Sequence, residues 1–367
     1  MTAPDAFQAG VEAHRRGDHA KAERLYRRAM EDAPMSADCR LNLGILLRNL
    51  GRPHEARPVL EEGLRLAPAR TDLRFALGLV LLMLGDYAAG WPLYENRREV
   101  FKVAFPDLPV PEWKGEPLAG KRIAVFPEQG LGDAIQFARF LPLLRQAGAQ
   151  ALLLCKPALE PLFAGAFEGV EVQSLAGEVQ LGALDYWAPI LSIPGRLGLA
   201  LDAVPSAPYL RAADPQPLSP RAFRVGLTTQ GNPRHQNDAR RSLDQGQAAR
   251  LRALSGVETV SLHPEDSGAA DFMRTADIVS GLDLVVSVDS AVCHLAGALG
   301  KPTLLLLPGY GVDWRWMTDR GDSPWYPNHR LFRSAVDGDW SAALAQVEHA
   351  VDQLRAAKLT KGPPPPT

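Results

Sequence analysis

Three short stretches gather the residues of this 367-residue chain best suited to chemistry. The first, Pro127-Glu-Gln-Gly-Leu-Gly-Asp133, sets a carboxylate beside two glycines that let the backbone turn sharply. Such a carboxylate can cap the following helix, or it can act on a ligand if the turn lies at the carboxyl end of a strand, where open α/β sheets bind. The second, Leu227-Thr-Thr-Gln-Gly-Asn-Pro-Arg-His-Gln-Asn-Asp-Ala-Arg-Arg-Ser242, concentrates Arg234, Arg240, Arg241 and His235 in one polar loop. Guanidinium forks pair with phosphate oxygens, so the loop suits a diphosphate leaving group; the plain alternative is a solvated surface loop. The third, Leu284-Val-Val-Ser-Val-Asp-Ser-Ala-Val-Cys-His-Leu-Ala-Gly-Ala-Leu-Gly-Lys-Pro302, runs from an apolar stretch through Asp289-Ser290 into a helix that opens with small residues. Its first N–H groups, left uncovered, suit a phosphate. Ser290 can add a hydrogen bond, and His294, one turn in, can reach a ligand or simply pack. Asp289 would repel phosphate and orders the turn instead.

These stretches need a scaffold of strands ending where the turns begin. From Lys121 onward, short apolar runs at residues 122–126, 151–155, 225–229, 259–262, 284–288 and 303–307 alternate with helical segments such as 134–146. Continuous apolar strands are buried on both faces, which predicts parallel sheets covered by helices. The proline-bearing loop 211–220 divides this region into two lobes, residues 121–215 and 216–357.

The first hundred residues obey a different period. Gly10, Gly44 and Gly78 are 34 residues apart, as are Gly17, Gly51 and Gly85. The same step relates Ala22, Ala56 and Gly90, then Leu25, Val59 and Leu93, then Tyr26, Leu60 and Tyr94, with Pro34 and Pro68 closing two units. Small residues where helices cross, a glycine turn and a terminating proline describe a helical hairpin repeated three times over residues 1–104. In the third unit Lys102 replaces the closing proline, and Gly90-Trp-Pro-Leu-Tyr-Glu-Asn-Arg-Arg98 reads as an adaptor helix. Pro92 is expected near its start, with Trp91 and Tyr94 offering apolar area for docking. Residues 105–120, rich in proline and glycine, form an ordered linker, and residues 358–367 a frayed tail.

Composition narrows the function classes. With 46% hydrophobic and 22% charged residues the chain can bury a full core, and 40 basic against 42 acidic residues leave no global field for nucleic acid. Cys39, Cys155 and Cys293 are too scattered for a thiolate zinc cluster and suit a reducing compartment as buried small side chains. No basic stretch with an apolar core opens the chain, and no apolar run reaches the roughly 20 residues that span a bilayer. A cytoplasmic protein without an integral membrane segment is expected.

The 34-residue units resemble the tetratricopeptide family. The Gly-Leu-Gly-Asp turn, the Gly-Asn-Pro-Arg-His loop and the Asp-Ser-x-x-x-His-Leu-Ala-x-x-Leu-Gly-Lys-Pro segment resemble the bacterial glycosyltransferases of the heptosyltransferase type. With Asp313-Trp-Arg-Trp316 and Ser323-Pro-Trp-Tyr-Pro327, the chain looks like the bacterial tetratricopeptide glycosyltransferases, flagellin-modifying enzymes among them. The resemblance implies an α + α/β chain: a repeat array followed by two Rossmann-like lobes of the GT-B fold, residues 121–215 on the acceptor side and 216–357 on the nucleotide-sugar side. It implies Asp133 as the base on an acceptor hydroxyl, with Gln129, Gly130 and Gly132 on the acceptor side. Donor contacts would come from Thr229, Asn232, Arg234, His235, Arg240, Arg241, Asp289, Ser290, Ala291 and His294. Trp314 and Arg315 are further candidates for the donor pocket, although aromatic residues after a strand commonly belong to the core. Neither a metal nor a cofactor is implied, the nucleotide-sugar being substrate. Where heptosyltransferases carry a lysine in the basic loop this chain has arginines, Arg241 the nearest match, so the donor does not transfer. The repeat groove would hold a protein acceptor. Two other readings differ in class or acceptor: a repeat scaffold with a vestigial transferase region, and a transferase acting on a lipid-linked saccharide.

Overall fold

The computed structural model describes residues 2–234 and 237–361. The chain divides into two compact units, one of Met1–Phe105, Gly198–Ala203 and Gly309–Asp319, the other of Pro106–Leu197, Val204–Pro308 and Arg320–Thr367.

The first unit is helical. Its pairs are α1 (Ala3–Arg15) with α2 (His19–Asp32), α3 (Ala37–Asn49) with α4 (Pro53–Leu66), and α5 (Thr71–Met83) with α6 (Tyr87–Tyr94), followed by the short α7 (Arg97–Val100). The glycine ladders have two separate causes. Gly17, Gly51 and Gly85 turn the chain between paired helices at φ of 79°, 71° and 82°, a region open to glycine at little cost. Gly10, Gly44 and Gly78 lie where the pairs cross. A Cβ on each would come within 2.8 Å of the Tyr26 ring, 2.4 Å of Leu60 and 2.8 Å of the Tyr94 nitrogen, so one 34-residue series fits into the other.

Pro92 lies inside α6 rather than near its start. Pro58 occupies the matching place in α4, which runs on to Leu66, whereas α6 stops at Tyr94. Lys102, in place of a closing proline, turns the chain with φ of 50°. The continuous part of the array ends at Phe105, close to the expected residue 104, but two later segments complete the unit. The Trp91 indole N–H donates to the Leu199 carbonyl at 3.1 Å, and Trp314 packs edge-on at 5.5 Å from Trp91 and 5.7 Å from Tyr94. Tyr310 stacks on His19 at 4.1 Å, its hydroxyl 2.8 Å from His14 Nε2, and the Gly311 N–H donates to the Asn49 carbonyl. The apolar area of the adaptor helix is thus covered by chain from more than a hundred residues away.

The second unit holds two parallel sheets. The first is built from β1 (Arg122–Phe126), β2 (Gln150–Cys155), β3 (Val170–Ser174) and β4 (Tyr186–Pro189) in the order β3-β2-β1-β4. Among its strands run α8 (Leu131–Phe137), α9 (Leu141–Gln146) and α10 (Glu160–Phe163), with α11 (Ile193–Arg196) after β4. The second sheet contains β5 (Arg224–Thr228), β6 (Glu258–Ser261), β7 (Leu284–Val288), β8 (Thr303–Leu307) and β9 (His329–Arg333) in the order β6-β5-β7-β8-β9. Its helices are α12 (Asp238–Arg241), α13 (Gln245–Arg252), α14 (Pro264–Ser267), α15 (Phe272–Ser280), α16 (Ala291–Ala298) and the terminal α17 (Ser341–Lys361).

Strands β7 and β8 match the sequence expectation at both ends, and both are buried throughout. Strands β3 and β9, which mix charged and polar residues into their runs, and the four-residue β4, which is apolar but ends in Pro189, escaped it; each lies at the end of its sheet's strand order. The expected helix 134–146 starts earlier and is broken by a 3-10 turn at Ala138–Phe140, just before Pro142. The linker residues are packed: the Trp113 N–H donates to the Trp187 carbonyl at 2.8 Å, extending the first sheet beyond β4. The expected tail is corrected as well. Lys358 lies in α17, and its ammonium donates to the Ser219 and Ala222 carbonyls and the Asp283 carboxylate. Trp340, Leu344, Val347 and Val351 close the second-sheet core over Val225 and Val286. Among the described residues no helix is long and apolar enough to cross a membrane.

Candidate functional site

In each sheet the strand order reverses beside the first strand, between β1 and β4 and between β5 and β7. Crevices outside the carboxyl ends at such switch points are where open parallel sheets bind ligands. All three motifs leave those ends: the Gly-Leu-Gly-Asp turn follows β1, the basic loop follows β5, and Asp289-Ser290 follows β7.

The first turn is strained and tied down. Gln129 adopts φ of 57°, left-handed backbone that a non-glycine residue rarely takes, and its carbonyl accepts the Lys156 ammonium at 2.8 Å. Asp133 is not the N-cap of α8; Gly130 holds that place. Asp133 stands in the first turn, and its carboxylate accepts the Gly130 N–H at 2.9 Å while remaining partly accessible. The carboxylate therefore rigidifies the turn and still faces out of it. At Gly132 the two lobes approach closely: a Cβ there would lie 2.8 Å from His294 Cδ2 and 3.2 Å from the Ala291 Cα. Only glycine lets the turn carrying Asp133 come this near to the start of α16.

Ser290 is the N-cap of α16, and its side chain does not close the helix end. Its hydroxyl lies 3.3 Å from that of Ser287. Asp289, Ser290 and Ala291 are partly exposed, whereas Cys293 and His294 are buried. The Cys293 thiol donates to the Ser290 carbonyl, and burial first, then the nearby Asp289 charge, pushes it well above the usual thiol range, with Arg241 acting the other way. Asp289, Cys293 and His294 bring ligand-type atoms within 4.8 Å of one another. Within that trio the Cys293 thiol is turned onto the Ser290 carbonyl.

The basic loop resolves into unlike arginines. Arg241 is largely buried, paired with Asp238 at 3.1 Å, and lies across Gly231, where a Cβ would meet its guanidinium at 2.7 Å. Its charge acts on the Cys293 thiol in the first turn of α16. Arg234, Arg240 and Asn232 are exposed, with the Arg234 N–H donating to Asn232 Oδ1. His235 lies outside the described residues. Thr229 is buried and engaged by His263, whose Nε2 accepts its backbone N–H at 3.2 Å. Trp314 and Arg315, candidates for the donor pocket, lie in the helical unit instead. Trp314 packs among Tyr87, Trp91 and Tyr94, and buried Arg315 pairs with Asp313 at 2.9 Å, because the third repeat needed covering.

Several residues of this neighbourhood gave no sequence signal. Buried Arg139 donates to the carbonyls of Gln136, Pro205 and Trp325 and lies over the rings of Tyr209, Trp325 and Tyr326. The Tyr326 hydroxyl is 3.0 Å from His294 Nδ1. An arginine in an apolar helix can be read from sequence as a snorkelling surface residue; only the fold shows it inside. Lys301, part of the Leu-Gly-Lys-Pro signature, donates to the Ser280 and Leu282 carbonyls at the end of α15.

The chain is therefore a tetratricopeptide-type helical array joined to a two-lobed α/β unit of parallel sheets. Residues 7–53 and 41–96 match the tetratricopeptide repeat family, and residues 244–332 match glycosyltransferase family 9 (heptosyltransferase). The chain thus carries a segment similar to each of these two families. The family 9 match contains Asp289–His294 and begins after both the Gly-Leu-Gly-Asp turn and the basic loop. Protein FlbA of Caulobacter vibrioides is 28% identical over 329 residues, 75% of this chain and 54% of FlbA, so the chain spans about half the length of that relative. Among solved structures, the glycosyl transferase family 9 protein of Veillonella parvula aligns with a TM-score of 0.44 at 12% identity, over 68% of this chain and all of that one. The Sgt2 tetratricopeptide domain of Aspergillus fumigatus aligns with a TM-score of 0.26 at 23% identity, over 29% of this chain and 70% of that one.

Proposed function

We propose that this protein is a GT-B glycosyltransferase that moves a sugar from a nucleotide-sugar to a hydroxyl of a protein acceptor. The observation that carries the proposal is the close packing of α8 on α16 at Gly132, where no Cβ would fit against His294 and Ala291, which brings the turn bearing Asp133 near a helix N-terminus of the other lobe. A base on one lobe and a phosphate cradle on the other are what transfer to a hydroxyl requires.

In the proposed reaction Asp133 accepts the proton of the acceptor hydroxyl, on the side of the cleft formed by Gln129, Gly130 and Gly132. The hydroxyl oxygen bonds to the anomeric carbon as the bond from that carbon to the donor phosphate breaks. The nucleoside diphosphate leaves with the electron pair. Charge on its oxygens is met by the α16 N–H groups, Ser290 and Arg241, with Arg234 and Arg240 on the same basic loop; arginines and a helix end then serve where other transferases use a divalent metal. The repeats gather the acceptor, flagellin being the first to test, and the reaction is assigned to the cytoplasm, where nucleotide-sugars are available.

Two measurements test this. Full-length protein is screened by thermal shift against UDP-, GDP-, ADP- and CMP-sugars; stabilisation by at least one is expected, and silence from all favours the scaffold. With the stabilising donor, Asp133→Asn is expected to lower turnover about 10²–10⁴-fold while leaving donor affinity unchanged. Near-normal turnover in that variant rejects Asp133 as the base.

A further inference from the structure

Two hydrogen bonds in the turn after β1 fall on a single peptide group. The Gln129 carbonyl accepts the Lys156 ammonium at 2.8 Å, and the N–H of the next residue, Gly130, donates to Asp133 Oδ2 at 2.9 Å. That carbonyl and that N–H belong to the one peptide that joins Gln129 to Gly130. The bond is trans, so the two groups point to opposite edges of a plane, with the cation on one edge and the carboxylate on the other. Gln129 enters this plane with φ of 57°, backbone that a side chain disfavours and that persists only where surrounding contacts fix it.

The sheet brings Lys156 to the turn. Strands β1 and β2 pair in parallel, Val125 beside Leu153, so Phe126 and Cys155 close the same edge and the turn and Lys156 leave it side by side. Cys155 is the last buried residue of β2; Lys156 is exposed and extended, with ψ of 147°, as suits a residue ahead of a proline.

We propose that Lys156 is a positioning residue for Asp133 that acts through the Gln129–Gly130 peptide: the ammonium holds the strained turn and polarises the amide, whose N–H fixes the carboxylate. A cation on a carbonyl oxygen draws electron density from the nitrogen and makes the N–H a stronger donor, so the two bonds reinforce one another. Without the ammonium the plane is held from one edge alone and the grip on Oδ2 weakens, which costs the base its alignment rather than its presence. Lysine suits the task, since its compact charge meets one oxygen from the end of a long stem; arginine keeps the charge and the donor.

The peptide relay stands apart from the transferase reading, and its effect on turnover rests on that reading. Full-length protein labelled with 15N-glycine reads the relay directly, the Gly130 amide being assigned by its disappearance in Gly130→Ala. Asp133→Asn sets how far that resonance moves when the carboxylate is replaced. Lys156→Met, at an exposed position and close to lysine in length, is expected to move it in the same direction, and Lys156→Arg to return it. With the stabilising donor, Lys156→Met should lower kcat about tenfold, the order of one hydrogen bond to a charged group, at unchanged donor affinity. Lys156→Arg should recover most of that loss. A Gly130 resonance that Lys156→Met leaves in place overturns the relay. Normal kcat in that variant, no recovery in Lys156→Arg, or an equal loss of donor affinity overturns the positioning role. Should no nucleotide-sugar bind at all, the transferase reading falls, and the Gly130 resonance still decides the relay.

Discussion

The helical array and the two-lobed unit use glycine for opposite purposes. In the array each glycine repeats a local solution: Gly17, Gly51 and Gly85 make the same turn, and Gly10, Gly44 and Gly78 the same crossing between neighbours in sequence. In the α/β unit Gly132 solves a single long-range problem, the approach of a turn to a helix about 160 residues later in the chain. Periodicity therefore exposes the first kind of glycine to a reader of the sequence, whereas the second shows itself only by type and company. The array nonetheless departs from pure locality, because its third repeat is finished by Gly198–Ala203 and Gly309–Asp319.

That departure makes the strongest prediction. Trp314→Ala removes a buried indole from among Tyr87, Trp91 and Tyr94 and should destabilise the array by about 3–5 kcal/mol, visible as an earlier first transition in calorimetry. An unshifted transition would mean that the repeats stand without the later segment, and the contrast between local and distant assembly would be complete. Gly132→Val tests the other region. Its branched side chain must push the Asp133 turn from α16, and with a donor in hand turnover should drop about 10²-fold while the array's transition stays in place.

A pH dependence separates the two regions more gently. His329 is buried, donates from Nε2 to the Cys293 carbonyl, and has its pKa depressed by burial from 6.5 to about 3. The unfolded chain takes up a proton there that the folded chain refuses, so stability is intact above pH 6.5 and lost as pH falls toward 3, at about 1.4 kcal/mol per pH unit. Chemical denaturation from pH 7.5 to 4.5 should show the loss in the α/β unit, and His329→Gln should flatten it. Gly17→Ala should have the smallest effect, about 1 kcal/mol in the array: nothing lies within 4 Å of the new Cβ, and only its φ of 79° opposes it. A loss several times larger would show that crowding, not backbone conformation, selects the turn glycines.

The legible parts of the molecule share a physical cause. Strands β7 and β8 were read to the residue because strands buried on both faces must be apolar throughout. Strands β3 and β9, at the ends of their sheets, mix in Glu171, Gln173, Arg330 and Arg333, and their pattern is lost among loops. Of the candidate site, Asp133, Gly132, Arg241, Ser290 and His294 could be named because glycines, a charged cluster and a helix start advertise themselves. Arg139 and Tyr326 could not, since each resembles an ordinary residue of its own segment. Trp314 and Arg315 were misplaced for a related reason: an aromatic-rich loop after a strand reads equally well as pocket wall or as packing.

By itself the sequence determined the repeat period, the two kinds of glycine in the array, the parallel α/β character of the chain from Lys121 onward and the three motifs at strand ends. Each of these is written in spacing or composition, which local geometry and burial impose on neighbouring residues. Only the tertiary structure decided that the third repeat is closed by Trp91 meeting Trp314, that Asp133 braces Gly130 rather than capping α8, and that Arg139, Tyr326 and His294 form one line behind the lobe contact. Those facts depend on residues brought together across long loops, and a contact between distant residues leaves no period in the chain that makes it.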